Sequence, residues 1–426
     1  MISDRALRRL MRSDASVALA GDLVRALLIV GLTGLVGLYY LYHAATARFM
    51  SSELHMNDFG KFYYSSTAFL NGADMYGPNP ATAIPVGAEI RQFWNMNPPH
   101  FHVLILPFAL LAPLPALVSW SILNLAALTW ALRLIARELA VRWTWHRLVL
   151  TLVAVLVCSA TGLVVTTGQM TFLLMLPVTL AWIVARHDRW PRAAVYLGVA
   201  ASVKPFLGVF WIYLLLTKRF RPAAIMMLSA IVCLLGGVVV FGWTAHVAWL
   251  HGLSGVDWSW APMNGSIHGL LSRTLADSPL FAPVLRAPAV IAPAAGVLAL
   301  VVGVGALAAL VRDTSVEATD RVFAGLLLTA LLVSPLGWMY YLWLVAGPVV
   351  ALWMTRRQRP SRARNAAIVV ATPGLLFPLY MTTAWRDHPL VSLTLGSAYG
   401  WTLLALWAAV MLDWTVRHTT EHGASL

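Results

Sequence analysis

Long apolar runs alternate with short polar segments along most of this chain, which is the pattern of a helical membrane protein. An apolar run of about 20 residues can cross a bilayer as one helix. Runs of that length lie near 24–43, 118–136, 148–167, 223–242, 289–311 and 391–412. Shorter apolar runs lie near 170–185, 322–337, 339–355 and 366–382. The pattern therefore predicts an all-α integral membrane protein.

Prolines interrupt two of the apolar stretches. In 193–217 the pair Lys204-Pro205 divides the stretch, which predicts two short helices with a break between them. The run 103–117 contains three prolines and is too short to span comfortably, so it predicts a re-entrant or interfacial hairpin on one side. With each half of the broken stretch counted as a crossing, we expect about 12 crossings in a single domain, 1–426.

The distribution of lysine and arginine predicts which side of the membrane each loop occupies, since cytoplasmic loops carry an excess of both. With the N-terminal segment inside, the cytoplasmic segments hold 23 of the 30 basic residues, and the outer segments hold the other seven. We therefore expect a multi-pass protein of the inner or plasma membrane with both termini in the cytoplasm. Two long segments, 44–102 and 243–288, then form the first and second extracytoplasmic loops, and an active site is expected on that face.

The composition agrees with this class and excludes others. The chain is 60% hydrophobic and 11% charged, whereas a soluble domain carries about 25% charged residues. The net charge of +13 does not indicate nucleic-acid binding, because the basic residues form short clusters between apolar runs. Cys158 and Cys233 lie inside apolar runs, so no disulfide is predicted. The histidine spacing and the absence of a P-loop or Rossmann glycine pattern predict neither a metal nor a cofactor.

Six polar motifs fall on the outer side under this topology. They are Asp58 to Tyr64, "WNMNPPHFH" (94–102), "TTGQM" (166–170), "SVKPF" around Lys204, "MNGSIHGLLSR" (263–273) and "SPLGWMYY" (334–341). Each has an ordinary alternative: a glycine turn, a helix break before proline, or an aromatic belt at the membrane surface. Lys204 is harder to explain in this way, because a cation at membrane depth is costly and marks a candidate functional site, unless it snorkels to the interface.

These motifs favour one kind of chemistry. Lys204 and Arg273 can hold an anionic phosphate at the outer edge of the bilayer. Asp58 can take the proton of an attacking hydroxyl while cations stabilise the charge that develops on a departing lipid phosphate. Asp58 is therefore the predicted catalytic base, with Asp74 and Asp257 as alternative acids, while an ordinary loop role for Asp58 stays open.

In their order and spacing, the motifs "DF-x-x-(F/Y)Y", "NPP", "TGQ", "KP", "NGSIHGLLSR" and "SPLGW" resemble glycosyltransferase family 87, over about residues 50–345. This family comprises polytopic GT-C-fold enzymes, among them polyprenyl-phosphate-mannose-dependent mannosyltransferases and related arabinofuranosyltransferases. The resemblance implies that Asp58 is the catalytic acidic residue of the first outer loop and that Lys204 contacts the donor phosphate. Gln169 matches the turn glutamine, and Asn264 and Ser266 match the "N-x-S" of the late loop.

The chain departs from the family pattern after "SPLGW", where many members have histidines and this sequence has Tyr340 and Tyr341. This departure leaves the sugar and the donor type open. The predicted substrate-binding residues are Lys61, Tyr63, Asn97, His100, Gln169, Asn264, Ser266, His268, Trp338 and Tyr340.

We therefore expect an inverting, metal-independent glycosyltransferase. It would move a sugar, with mannose favoured, from a polyprenyl-phosphate donor to a hydroxyl of a glycolipid or glycan of the cell envelope, in contact with membrane lipid and not with nucleic acid. The alternatives are a transporter or flippase for a lipid-linked sugar, an arabinosyl- or other pentosyltransferase of the same fold, and an enzyme with a diphosphate donor. A transporter is disfavoured because the sequence shows no two-fold repetition and its polar motifs gather on one face.

Overall fold

The computed structural model describes residues 57–86, 89–255, 258–356, 362–376 and 388–423, and the first predicted span, 24–43, lies outside these ranges. The α-helices are α1 Asn57–Leu70, α2 Leu106–Ala109, α3 Pro113–Glu138, α4 Trp145–Val157, α5 Ser159–Thr167, α6 Thr171–Arg186, α7 Trp190–Val203, α8 Val209–Leu216, α9 Phe220–Ser254, α10 Ile267–Leu275, α11 Pro288–Val311, α12 Ala318–Val333, α13 Ala346–Arg356, α14 Arg362–Leu376, α15 Pro389–Leu393 and α16 Ala398–Gly423. Short 3₁₀ helices connect them at Pro99–Leu104, Pro205–Gly208, Trp258–Trp260, Met339–Val345 and Leu395–Ser397. The helical class predicted from the sequence is confirmed.

Within the described ranges, four segments are long and apolar enough to cross a membrane: Pro113–Glu138, Phe220–Ser254, Pro288–Val311 and Pro389–Met411. Helices α4 and α5 qualify together as a fifth, although they meet at a bend of 61°. Shorter apolar helices are Thr171–Arg186, Pro205–Leu216, Met339–Thr355 and Asn365–Leu376. These segments coincide with apolar runs of the sequence, and the architecture is that of a membrane helix bundle. The number of about 12 crossings stays a prediction.

The break predicted at Lys204-Pro205 is present. Helix α7 ends at Val203, Lys204 has extended backbone angles, and a 3₁₀ turn then leads into α8. The cause is local, because proline has no amide hydrogen to continue the helix and restricts the residue before it.

Two other boundaries differ from the sequence expectation. Helix α9 continues past residue 242 to Ser254, across a kink at Gly242 where φ is +79°, so the first part of the predicted loop 243–288 is helical. The predicted hairpin 103–117 is not a separate unit, because its last five residues, from Pro113, begin α3. Proline fits the first turn of a helix, where its missing amide hydrogen has no partner to lose.

A short antiparallel hairpin in the first predicted loop was not expected. Strand β1 (Ala83–Val86) pairs with β2 (Glu89–Gln92), with Ala83 opposite Gln92. Four-residue strands contain too few positions for their alternation to be recognised in a sequence. The described part of loop 44–102 is thus built from α1, this hairpin and the 3₁₀ helix that follows them.

Helix α12 forms the centre of the bundle. Its residues from Asp320 to Leu332 are all buried, and it packs against α6, α11, α13 and α16. A helix that is buried on every side is expected to be apolar all round, and beyond its first turn this one is, except for Thr329, whose hydroxyl accepts a 2.9 Å hydrogen bond from Trp407. A second, aromatic cluster lies under α1, where Phe59 and Phe62 pack against Trp120 and Phe101.

Helix α6 connects two polar ends of the bundle that lie roughly 24 Å apart, given the rise of a helix. At its last turn, Arg186 forms ion pairs with Glu138 at the end of α3 (2.6 Å) and with Asp320 at the start of α12 (2.9 Å). At its other end, Gln169 lies just before the first turn and enters the polar site described next.

Candidate active site

Asp58 lies in the first turn of α1, where the positive end of the helix dipole favours a carboxylate. Its Oδ1 forms an ion pair with Nζ of Lys61, 3.0 Å away and one turn further along the helix. Its Oδ2 accepts a 2.7 Å hydrogen bond from Nε2 of Gln169. The side chain remains 23% exposed, so both carboxylate oxygens are held while the group stays accessible.

The charges around Asp58 keep it ionised. Burial by itself would raise the pKa of this carboxyl, because the charged form loses water. The charges of Lys61 and Lys204 and the hydrogen bond from Gln169 outweigh burial, and the pKa is lowered from its ordinary value. The carboxylate is therefore unprotonated at neutral pH, which is the state that a proton acceptor requires.

Gln169 reaches Asp58 because the chain turns tightly between α5 and α6. Gly168 ends α5 with a φ of +71°, in the left-handed region that favours glycine. The carbonyl oxygen of Gly168 accepts a 2.8 Å hydrogen bond from the indole nitrogen of Trp120, which is buried in the aromatic cluster under α1. The hydrogen bond from Trp120 thus holds the turn in place, and the turn positions the side chain of Gln169 next to the Asp58 carboxylate.

Lys204 enters the site from the break between α7 and α8. Its Nζ donates a 2.7 Å hydrogen bond to Oδ1 of Asn97 and lies 5.6 Å from the ring centre of Tyr341. Burial lowers the pKa of Lys204 to about 8, although the Asp58 carboxylate acts in the opposite direction. Lys204 is therefore mostly charged at neutral pH, with a charge that depends on its neighbours.

Aromatic rings border the cations. Nζ of Lys61 lies 4.6 Å from the ring centre of Trp258 and 5.8 Å from that of Phe93. The rings of Trp338 and Tyr340 stack with their centres 6.0 Å apart, and the ring of Tyr340 packs edge-to-face on that of Tyr341 at 4.7 Å. Flat apolar faces beside fixed charges are the usual lining of a site that binds an organic ligand.

Asn264 joins the two late motifs of the sequence. Its amide nitrogen donates to the carbonyl oxygens of Ser259 (2.9 Å) and Pro335 (3.0 Å), and its Oδ1 accepts from the amides of Ser266 (3.1 Å) and Gly337 (2.9 Å). These four bonds use the whole hydrogen-bonding capacity of an asparagine side chain. Asn264 therefore holds "NGS" and "SPLGW" together, and its predicted contact with substrate stays a prediction.

Ser266 and Arg273 belong to the same joint, the hydrogen-bonded connection between the "NGS" and "SPLGW" segments. Ser266 caps α10, because its hydroxyl accepts from the amide of Gly269 at 3.0 Å. Arg273 is fully buried. Its Nη1 donates to the carbonyl oxygens of Ala261 (2.8 Å) and Asn264 (2.9 Å), and its Nε donates to Ser397 (3.1 Å). Of the three guanidinium nitrogens of Arg273, Nη2 is the one without a hydrogen-bond partner among the described residues. The predicted phosphate contact therefore depends on that nitrogen.

The remaining predicted residues, Tyr63, His100, His268 and Asp74, form no side-chain hydrogen bond with Asp58 or Lys204 among the described contacts. Tyr63 donates a 2.8 Å hydrogen bond to the carbonyl oxygen of Leu111 within the aromatic cluster. His100 belongs to the 3₁₀ helix after "NPP", and burial lowers its pKa to about 4. His268 is half-buried on α10. The alternative acid Asp74 caps the backbone of Tyr76 at 2.9 Å.

Asp257, the other alternative acid, lies outside the described residues. The structure thus brings together Asp58, Lys61, Gln169, Asn97 and Lys204, from four separate parts of the chain. In the part of the chain that is described, no three His, Cys, Asp or Glu side chains are arranged to hold a metal ion.

The sequence motifs did not single out two residues that complete the site. Asn95 hydrogen-bonds Asn97 (3.1 Å), and Phe93 faces Lys61. Asn95 stands two positions before Asn97 in the quoted "WNMNPP", which is the one signal that could have drawn attention to it.

A model of glycosyltransferase family 87 matches residues 95–335, more than half of the chain. The match includes Asn97, Gln169, Lys204 and Asn264, and begins after Asp58. No curated protein and no solved structure matches the chain.

Proposed function

The chain belongs to glycosyltransferase family 87, and on that premise we propose that it transfers a sugar from a polyprenyl-phosphate donor to a hydroxyl of a glycolipid or glycan acceptor. Mannose is the sugar that we favour, and an arabinosyl or other pentosyl transfer is the alternative within the same fold. The proposed site is the cluster formed by Asp58, Lys61, Gln169, Asn97 and Lys204.

The observation that carries the proposal is the charge of this cluster. Two ammonium groups, Lys61 and Lys204, surround one carboxylate, Asp58, which leaves a net charge of +1 (two minus one). A polyprenyl-phosphate sugar is a phosphodiester with a single negative charge, so it neutralises this surplus. A diphosphate donor would bring more negative charge than the cluster can balance.

The charges also balance through the reaction. The acceptor oxygen forms a bond to the anomeric carbon as the bond from that carbon to the phosphate oxygen breaks, and its electron pair leaves with the phosphate. Asp58 takes the proton from the acceptor hydroxyl. The leaving polyprenyl phosphate approaches a charge of −2 while protonation of Asp58 brings the cluster to +2, so the two lysines stabilise the charge as it develops. Attack opposite the leaving phosphate inverts the anomeric centre.

The side of the membrane on which we propose that sugar transfer takes place is inferred from the two ends of the bundle. The ion-paired end holds Arg186 and belongs to the segments rich in basic residues, which the positive-inside rule places in the cytoplasm. The Asp58 cluster is at the opposite end of α6. We therefore propose that the active site faces the extracytoplasmic side, where lipid-linked sugars serve as donors without a nucleotide.

The test is the variant Asp58→Asn in membranes supplied with radiolabelled polyprenyl-phosphate sugar. We expect transfer to fall by about 10²- to 10⁴-fold, with donor binding retained or tightened because the cluster charge rises from +1 to +2. Asp74→Asn is the matched control, since that side chain accepts a backbone hydrogen bond away from the cluster. Near-wild-type turnover of Asp58→Asn would remove Asp58 as the base, and sugar transfer without a polyprenyl-phosphate donor would overturn the donor assignment.

A further inference from the structure

The orientation of one amide group decides how Lys204 is held. Oδ1 of Asn97 accepts the 2.7 Å hydrogen bond from Nζ of Lys204. An asparagine side chain has an acceptor on one side and two donors on the other, and only the acceptor can face an ammonium group. Something must therefore keep the amide of Asn97 from turning its NH₂ toward the cation.

Asn95 supplies that constraint. Its Oδ1 accepts a hydrogen bond from Nδ2 of Asn97 and another from the backbone amide of Asn97, both at 3.1 Å. Since the NH₂ group of Asn97 is committed to Asn95, its carbonyl oxygen faces Lys204. The hydroxyl of Tyr76 donates a 2.6 Å hydrogen bond to the carbonyl oxygen of Asn97 and fixes the backbone at the same point.

The orientation of Asn95 is fixed in turn by buried groups. Its Nδ2 lies 2.9 Å from Oγ of Ser65 and 2.9 Å from Nε2 of His102. Nε2 of His102 can accept because Nδ1 faces the carbonyl oxygen of Pro98 at 3.2 Å and carries the proton. Complete burial lowers the pKa of His102 to about 4, so the ring stays neutral and this assignment holds at neutral pH.

We propose that Asn95 is a positioning residue for Lys204: by fixing the amide of Asn97, it holds the ammonium group at the donor-phosphate position beside Asp58. The proposal rests on the proposed function for its link to the phosphate. The hydrogen-bond chain from His102 through Asn95 and Asn97 to Lys204 rests on the geometry alone. Asn95 also donates a 3.3 Å hydrogen bond to the backbone carbonyl oxygen of Lys61, and its part in the cluster is to position these groups.

The sequence makes a direct test practical, because the chain contains only three lysines, Lys61, Lys204 and Lys218. Limiting acetic anhydride acetylates uncharged amines, so the relative labelling of each lysine, measured by peptide mass spectrometry on the full-length protein in detergent, reports its charge and access. Lys218 follows α8, toward the ion-paired end of the bundle, and serves as the internal reference.

In Asn95→Leu the amide of Asn97 is released, and Lys204 loses an acceptor that favours its charged form. We expect Lys204 to be labelled about tenfold faster relative to Lys218 at neutral pH, and the donor KM to rise about tenfold with a smaller change in kcat. Asn95→Ser is likewise too short to reach Asn97 but places no apolar side chain among these buried polar groups, so the same result is expected if the leucine variant does not fold.

Asn79→Leu is the matched control in the same loop, because among the described residues the Asn79 side chain accepts only from the backbone amides of Ala81 (3.0 Å) and Thr82 (3.1 Å). It should lower stability without changing the labelling of Lys204. Unchanged Lys204 labelling in folded Asn95 variants would overturn the proposal. A different outcome would separate this proposal from the proposed function. If Lys204 is labelled faster in the Asn95 variants while Lys204→Met keeps the donor KM of the wild type, Asn95 positions Lys204 but Lys204 does not contact the donor phosphate.

Discussion

The amide nitrogen of Gln169 donates a 2.7 Å hydrogen bond to Oδ2 of Asp58, although 111 residues separate them in the chain. This bond ties the turn between α5 and α6 to the first turn of α1. The other end of the glutamine amide, Oε1, is buried without a hydrogen-bond partner among the described residues. Gln169 therefore supports the carboxylate and keeps one unpaired acceptor buried beside it.

Removing this amide should move the acid limb of the pH–rate profile. The Gln169 hydrogen bond lowers the pKa of Asp58, and transfer is lost as pH falls through that pKa because the base becomes protonated. Gln169→Leu removes the bond and should shift the acid limb to higher pH. Gln169→Glu places a second carboxylate beside the first and should shift it further, by about one unit or more. The measurement is kcat/KM for the donor as a function of pH.

Gln169→Leu and Gln169→Glu serve as controls for one another. Both remove the amide that donates to Asp58, and only Gln169→Glu adds a negative charge. Acid limbs that coincide with that of the wild type in both would show that Asp58 does not titrate in the rate-determining step.

Lys204 should make donor binding sensitive to alkaline pH. Burial lowers its pKa to about 8; below that value the side chain is charged and attracts phosphate, and above it the attraction is lost. We therefore expect the donor KM to rise as pH increases through 8, and kcat to fall with it, because Lys204 also stabilises the charge that develops on the leaving phosphate. In Lys204→Met the KM should be about tenfold higher at neutral pH and independent of pH in this range.

Lys204→Arg should rescue only in part, because a planar guanidinium cannot take the place of a compact ammonium 2.7 Å from Asn97. Lys218→Met is the control, since Lys218 lies between α8 and α9, away from the cluster. A pH-independent donor KM in the wild type would contradict a role for Lys204 in phosphate binding.

The ring of Tyr341 should matter more than its hydroxyl. Nζ of Lys204 lies 5.6 Å from the centre of this ring, a cation–π contact of about 0.5–1 kcal/mol. Tyr341→Phe keeps the aromatic face and should leave the donor KM close to that of the wild type. Tyr341→Leu should raise it about two- to fivefold, measured at neutral pH. A larger loss in the phenylalanine variant would show that the hydroxyl itself contacts the substrate.

Local signals allowed part of the fold to be predicted from the sequence. The break at Lys204-Pro205 follows from proline geometry, and the turn before Gln169 follows from Gly168, which takes the left-handed conformation. The predicted run 223–242 ends where non-helical backbone at Gly242 interrupts α9. What the sequence did not predict is the second helical segment, which continues from there to Ser254 in the predicted loop.

The partners within the site could not be predicted in the same way. Asp58, Gln169 and Lys204 were singled out one by one, but which of them touch depends on how α1, α6 and α7 pack. The role of Asn95 depends on the direction of an amide, which leaves no trace in the residue pattern. Asn264 looked like a ligand-binding residue by its motif, whereas the structure commits all its polar atoms to the joint with Gly337 and its neighbours.

Arg273 can either stabilise the fold or bind the donor phosphate, and the two roles predict opposite effects of its substitution on stability and on the donor KM. It is fully buried, and three of its hydrogen bonds hold Ser397 and the backbone of Ala261 and Asn264. Hydrogen bonds from charged groups contribute about 1.5–3 kcal/mol each, and the three share one side chain, so we expect Arg273→Met to destabilise the protein by about 3 kcal/mol or more. Arg273→Lys should recover little, because one ammonium group cannot reach two carbonyl oxygens and a hydroxyl.

The measurement pairs thermal unfolding in detergent with the donor KM below the unfolding transition. If Arg273 acts by holding these loops together, the midpoint falls by about 3–4 °C or more, and the KM of the folded fraction stays the same. A raised donor KM with an unchanged midpoint would mean that Nη2 binds phosphate and that the joint survives without the arginine. Arg286→Met is the matched control, because Arg286 is largely exposed and forms an ion pair with exposed Asp277 at 3.2 Å, an interaction that contributes little to stability.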